Sequence, residues 1–341
     1  MRALQSIGVI GAILGALTLS GTPAHAKDMV FTSWGGTTQD AQKQSWAVPF
    51  SKQSGVTVLQ DGPTDYGKLK AMVESGKPAW TVVDVENDFA VKAGKDGLLE
   101  PLDFSIIDKS TLDPRFVTPY SVGSFYYSFV LGFNKDQFGK KTPKSWADLF
   151  DLKTFPGKRT LYKWSAPGVL ELALLADGVA PNALYPLDLD RAFKKLDTIK
   201  SSIVWWSGGA QSQQLLVSGE APIGMFWNGR IDAIRKSGVD VGVSWEQNLA
   251  AADALVVPKG VADKDTAMRF IAFASSAQAQ ADFARASGYA PINLGSKALM
   301  KPEEAAALPD SHSQGQITLD MAYWAEHRDA VAKRWYEWQG K

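Results

Sequence analysis

Three short runs, residues 29–34, 56–59 and 80–85, are rich in β-branched and aromatic residues, and helix-period stretches fill the gaps between them. The second gap, residues 65–74, places Tyr66, Leu69 and Val73 on one helical face. A strand that hands over to a helix before the next strand returns as a parallel neighbour. The pattern therefore predicts an α/β domain with a largely parallel sheet. A second set follows, with strands expected at 125–133, 159–162, 203–206, 221–227 and 254–258. Helices are expected from 145, at 168–175, 189–199, 211–218, 267–273 and 277–286, and from about Leu319 onward. Ser145 reads as an N-cap, with Asp148 in the capping-box position. A chain of 341 residues suits about two such domains.

Residues 1–26 have the pattern of a secretory signal peptide. Arg2 supplies an early positive charge, residues 7–19 are apolar, and Ala24-His25-Ala26 is a small-x-small cleavage pattern. The apolar run is short for a bilayer span. The mature chain is thus expected to begin at Lys27 and to work outside the cytoplasm, in the periplasm. There are no cysteines, which removes disulfides and thiolate chemistry. The 36 Lys+Arg balance 36 Asp+Glu without a basic block, which argues against a nucleic-acid partner.

Signatures of catalysis are missing from the sequence. No P-loop, G-x-S-x-G or H-E-x-x-H occurs, and His312 and His327 have no metal-pair spacing. No enzyme activity, cofactor or metal is expected. Tryptophan is the outlier, with 12 residues. Its flat π face suits stacking on a sugar ring or a cation.

The candidate site residues lie at strand ends. Trp34 is followed by Gly35, Gly36 and Thr37, where bare backbone N–H groups can approach a ligand stacked on the indole. Asp84, Glu86 and Asp88 close the third strand and could meet a cation or cap a helix. The segment from Trp205 and Trp206 to Gln211 turns into a helix N-terminus suited to an anionic group. Alternation sends one of the two tryptophans into the core. Trp227 ends a buried strand before Asn228-Gly229, and Arg230 could fork onto a carboxylate. Asp253 stands alone in the apolar run 250–257, where an acid is costly without a cation or good hydrogen bonds.

In order along the chain, five segments resemble the bacterial periplasmic spermidine/putrescine-binding family. They are residues 31–34, 144–150 (the family's S-W-A-D-L-W), 224–229 (G-M-x-W-N-G), 253–258 (D-S-L-A-I-P) and 288–293 (G-Y-x-P-x-N). The resemblance implies two α/β lobes of the type II periplasmic-binding-protein fold, joined by crossing strands and closing on a solute. The lobes would hold 27–132 with 255–295, and 133–254 with 296–341. It also implies delivery of the solute to the membrane permease of an ABC importer; the protein itself is expected to be a monomer.

Trp34, Trp227, Asp253 and Tyr289 match family positions that line the cleft, where aromatics box an amine and the acid fixes it. The departures are informative. Ser165 and Gly168 stand where the family carries two further acids, Ala251 replaces a tryptophan, and Asn87-Asp88 replaces a tyrosine pair. Arg230 follows the W-N-G turn, where a small residue is common. The ligand is therefore expected to be a small amine, either a polyamine such as putrescine or spermidine, or an ω-amino acid such as 4-aminobutyrate. Asp253 with Arg230 suits the last, whereas Asp253 with an acid near residue 88 suits a diamine. A sugar-binding protein, and a ferric-binding one using Tyr126 and Tyr127, are the alternatives.

Overall fold

A computed structural model describes residues 28–341, and the signal-peptide expectation lies outside them. Among the described residues, ten strands form one mixed sheet. They are β1 (Asp28–Thr32), β2 (Thr57–Asp61), β3 (Val82–Glu86), β4 (Val117–Thr118), β5 (Ser121–Asn134), β6 (Arg159–Tyr162), β7 (Ile203–Trp206), β8 (Ile223–Trp227), β9 (Val241–Val256) and β10 (Ile317–Thr318). The order is β2-β1-β3-β9-β5-β8-β6-β7, with β4 on β5 and β10 on β9.

Each end of the sheet is a parallel triplet, β2-β1-β3 and β8-β6-β7. Helical crossovers connect the parallel strands and cover the sheet, as the alternating sequence pattern requires. Between the triplets run β5 and β9, an antiparallel pair of 14 and 16 residues. These two strands pass through both halves and make the fold two-lobed. Their register shifts between Phe129 and Leu131. Opposite that shift, Gln247 adopts φ 53°, unusual for a residue with a side chain. The bulge is pinned: Trp146 Nε1 donates to Gln247 O at 2.9 Å, and buried Asn248 accepts from Ser128 Oγ at 2.7 Å. The lobe limits expected after 132 and 254 fall inside β5 and β9. By strand pairing, residues 253–256 of β9 lie beside β3.

The capping box at Ser145 and Asp148 forms as expected, at the head of the helix Trp146–Phe150. The longest helix among the described residues, Met321–Gln339, starts with Asp320 accepting from Tyr323 N. Its Trp335 and Trp338 pack on Phe193 and Trp205 of the second half. Trp324 Nε1 donates to buried Glu171 at 2.6 Å. The same helix also lies against the helix Asn87–Lys95 of the first half. It therefore spans the two lobes. No helix among the described residues is long and apolar enough to cross a membrane.

Six of the 12 tryptophans, Trp46, Trp80, Trp146, Trp206, Trp324 and Trp335, are essentially fully buried. At least half of the tryptophans are thus core packing, and a recognition role narrows to the few indoles that face the cleft.

Candidate functional site

A cavity of about 530 Å³ opens where the C-terminal ends of β1, β3 and β8 meet the crossing strands. This is where open α/β sheets commonly place their ligands. Trp34, Glu86, Ser165, Trp227, Arg230, Asp253 and Tyr289 all line it. They come from both lobes, so the fold gathers residues up to 255 positions apart into one wall.

Asp253 is a buried acid of this cavity. It lies on β9, 5% exposed, cross-strand from Glu86 on β3 and Phe125 on β5. Trp34 Nε1 donates to its Oδ2 at 2.8 Å. Burial, reinforced by the nearby carboxylates of Asp84 and Glu86, pushes its pKa well above the usual carboxylate range, and the indole N–H opposes that. Among the described residues no cation pairs with it. A ligand ammonium would stabilise its charged form.

Arg230 is a cation of the same cavity. It sits in the first turn of the helix Asn228–Lys236, 6% exposed. Its guanidinium donates to the hydroxyls of Thr37 and, at 3.0 Å, Thr38, reaching from one lobe to the other. Among the described residues it has no carboxylate partner, and its Nε is buried without a hydrogen bond. The guanidinium lies against the backbone at Gly209, where a Cβ would collide with it. Nearby, the buried hydroxyl of Ser165 also lacks a partner. These N–H and O–H groups face the same cavity and suit an anionic acceptor.

Aromatic rings form the remaining wall. Trp227 packs edge-on to Trp206 at 4.8 Å and tilts over Tyr162 at 5.4 Å. Asn228 fixes the turn behind it, accepting from Ser128 N at 3.0 Å and donating to Gly288 O at 2.8 Å. Tyr289 stacks on Phe125 at 4.8 Å. Its ring leaves no room for a side chain at position 229, where a Cβ would come within 2.6 Å. Tyr66 stands edge-on to Trp34 and stacks on Phe89 at 3.7 Å. Burial pushes the phenols of Tyr66, Tyr127 and Tyr162 well up, so they stay protonated.

Five of the expected residues do not line the cavity. Trp206 is buried in the core with its Nε1 on Met225 O, so Trp206 is the member of its pair that alternation sends inward. Gly35 and Gly36 make the turn after Trp34 at φ 73° and 59°, a conformation that favours glycine. The Gly35 N–H is used internally, by Gln39 Oε1 at 2.8 Å. Thr37 supports Arg230 from outside the wall. Asp88 is fully buried and pairs with Arg328. Its neighbour Glu86 does line the cavity but also carries Arg328, at 2.7 Å. Tyr126 and Tyr127 point oppositely: Tyr126 bonds Gln316, and only Tyr127 faces the cavity.

Residues that sequence reasoning missed include Thr38, Tyr66, Tyr162, Trp164 and Arg328. Tyr66 and Arg328 sit on helices whose polar and apolar spacing is ordinary, and nothing in that spacing marks the face turned to the cleft.

An α/β molecule with two lobes and a ligand-sized cavity between them, walled by aromatics and opposite charges, is a solute receptor by design. The chain belongs to the bacterial extracellular solute-binding protein family, whose pattern it matches over residues 45–310. It is 34% identical to the gamma-aminobutyric acid-binding protein of Pseudomonas aeruginosa, over 97% of this chain and 96% of that one. The spermidine/putrescine-binding periplasmic protein of Salmonella typhimurium is 26% identical, over 90% of this chain and 92% of that one. Among solved structures, the Atu4243 GABA receptor superposes with a TM-score of 0.88 at 67% identity, covering 92% of this chain and 98% of the other. An ABC transporter substrate-binding protein from Bradyrhizobium japonicum USDA 110 gives 0.86 at 40% identity, with 92% and 99% covered. The chain is therefore the solute-binding component of an ABC importer.

Proposed function

We propose that this protein captures a short ω-amino acid, 4-aminobutyrate or a close relative, in the periplasm and delivers it to its membrane permease. The observation that carries this reading is a buried acid and a buried guanidinium in one cavity, Asp253 and Arg230, neither with a charged partner among the described residues. Uncompensated buried charges are expensive, and a zwitterion offsets both at once. A dication would satisfy Asp253 and meet Arg230 unfavourably. A neutral sugar would leave both charges unpaired.

The ammonium would sit against Asp253 and the face of Trp34, where cation–π attraction adds to the ion pair. The carboxylate would take the free Nε of Arg230 and the hydroxyl of Ser165. Tyr162, Trp227 and Tyr289 would cover the methylenes. The GABA-binding names of two relatives support the same ligand class.

The lobes would divide at the irregular stretch of β5 and β9 rather than at fixed chain positions. Ligand contacts from both lobes favour the closed state, and closure is the signal the permease reads. No bond is made or broken.

Titration calorimetry with 4-aminobutyrate, putrescine and spermidine tests the proposal. Binding of 4-aminobutyrate in the micromolar range or tighter, with both polyamines much weaker, is expected. Tighter binding of either polyamine would overturn the ω-amino acid assignment.

A further inference from the structure

The carboxylates of Glu86 and Asp88 end β3 and open the next helix, in the wall that also holds Asp253. In the sequence they look like additional amine anchors. In the fold they are already occupied. Arg328 reaches across from the C-terminal helix, donating to Glu86 Oε2 at 2.7 Å and to Asp88 Oδ2. Its guanidinium also lies over the ring of Tyr66, 5.5 Å from the centroid, while the Tyr66 hydroxyl donates to Glu86 at 3.1 Å. Arg328 and Glu86 both line the cavity. The chain thus places its own cation in the cavity wall, held by two acids and an aromatic face, the same groups that would recognise an alkylammonium.

We propose that Arg328 is a specificity determinant that fills the place of a second ligand ammonium, so that the cleft accepts one positive charge and rejects aliphatic diamines. With Arg328 on Glu86 and Asp88, Asp253 is the acid of the β3–β9 wall that has no cation partner among the described residues. A diamine entering beside it would bring a second ammonium toward a fixed guanidinium, and like-charge juxtaposition discriminates strongly against the wrong partner. The arginine belongs to a helix anchored on the second lobe through Trp335 and Trp338, whereas both acids belong to the first. The internal cation thus links the two lobes across the cavity wall. This inference rests on the reading that Asp253 takes the ligand's ammonium.

The test uses putrescine and spermidine as probes against purified full-length variants, with folding checked by circular dichroism. Arg328→Met exposes Glu86 and Asp88 to the ligand, and putrescine affinity should rise at least about tenfold over the parent protein. Arg328→Gln retains a donor for Glu86 and serves if the methionine variant folds poorly; it should show a gain of the same sign. Arg328→Lys keeps a charge and should leave diamines excluded.

The gain should vanish in a triple variant that also carries Glu86→Gln and Asp88→Asn. Unchanged putrescine affinity in the folded methionine or glutamine variant would overturn the proposal, as would a gain that survives in the triple variant. These readouts compare diamine affinities, so they stand apart from the result for 4-aminobutyrate. If the parent protein fails to bind 4-aminobutyrate, the ligand assignment falls while the change in diamine affinity still reports on Arg328.

Discussion

The indole N–H of Trp34 points at Oδ2 of Asp253 across 2.8 Å, joining the end of the first strand to a residue 219 positions later on β9. Trp34 thereby offers the cavity both a π face and an N–H that helps keep the acid oriented. Asp253→Ala should weaken 4-aminobutyrate binding by about 100-fold or more, because it leaves the ligand's ammonium buried without its counter-charge. Trp34→Phe keeps a ring and removes the donor, and should cost roughly tenfold. Calorimetry on the two variants checks both. An unchanged affinity for Asp253→Ala would remove that residue from the site.

Arg230 can be probed with and without touching its charge. Arg230→Ala should cost a carboxylate-bearing ligand about 100-fold while leaving a plain alkylamine little affected. Gly209→Ala adds a methyl where the guanidinium rests. It should displace Arg230 and weaken the same ligand selectively, although position 209 itself carries no charge. Equal losses for butylamine and 4-aminobutyrate would show that Arg230 does not read the carboxylate.

Asp84 makes stability depend on pH. Burial pushes its carboxyl up to about 7, opposed by hydrogen bonds from Gln42 at 2.6 Å and Ser33 at 3.1 Å. Between the ordinary 3.8 and about 7, the folded chain holds a proton that the unfolded chain has lost. The contribution is therefore fully present below the unfolded value and declines as pH rises through the folded one. Asp88, pushed up to about 6 chiefly by burial, acts in the same direction. In Asp84→Asn the amide oxygen can still accept from Gln42 and Ser33, while the NH₂ takes the side where Oδ1 has no partner. This variant should flatten the fall in melting temperature between about pH 4 and pH 7, as followed by differential scanning calorimetry.

Glu171 is fully buried without a cation among the described residues. Three donors hold it: Gly168 N at 2.8 Å, Tyr185 Oη at 2.7 Å and Trp324 Nε1 at 2.6 Å. Trp324→Phe removes the donor supplied by the C-terminal helix and should cost about 1.5–3 kcal/mol in denaturant unfolding. A cost near zero would mean that this contact does not hold the helix to the second lobe.

The alternation of strands and helices was legible because each parallel strand is short, apolar and bounded by turns. The 16-residue β9 was not, since burial on both faces erases its alternation in 249–256 and the bulge at Gln247 interrupts its period. Asp253 stood out as an acid in an apolar run, and the two strand-end tryptophans Trp34 and Trp227 stood out by position. Trp206 shows where that logic fails: adjacent indoles on a strand face opposite ways, and spacing does not say which one meets the ligand. Arg328 was hidden for another reason. The segment 326–334 alternates charges like a solvated helix face, and only the tertiary placement of that helix across both lobes turns one of its arginines toward Glu86 and Asp88.

The most direct measurement compares 4-aminobutyrate with butylamine and butyrate by titration calorimetry on the parent protein. Each single-charge analogue leaves one of the two buried groups unpaired. The account predicts micromolar or tighter binding of the zwitterion, with both analogues weaker by about 100-fold or more. Butylamine or butyrate binding as tightly as 4-aminobutyrate would contradict it.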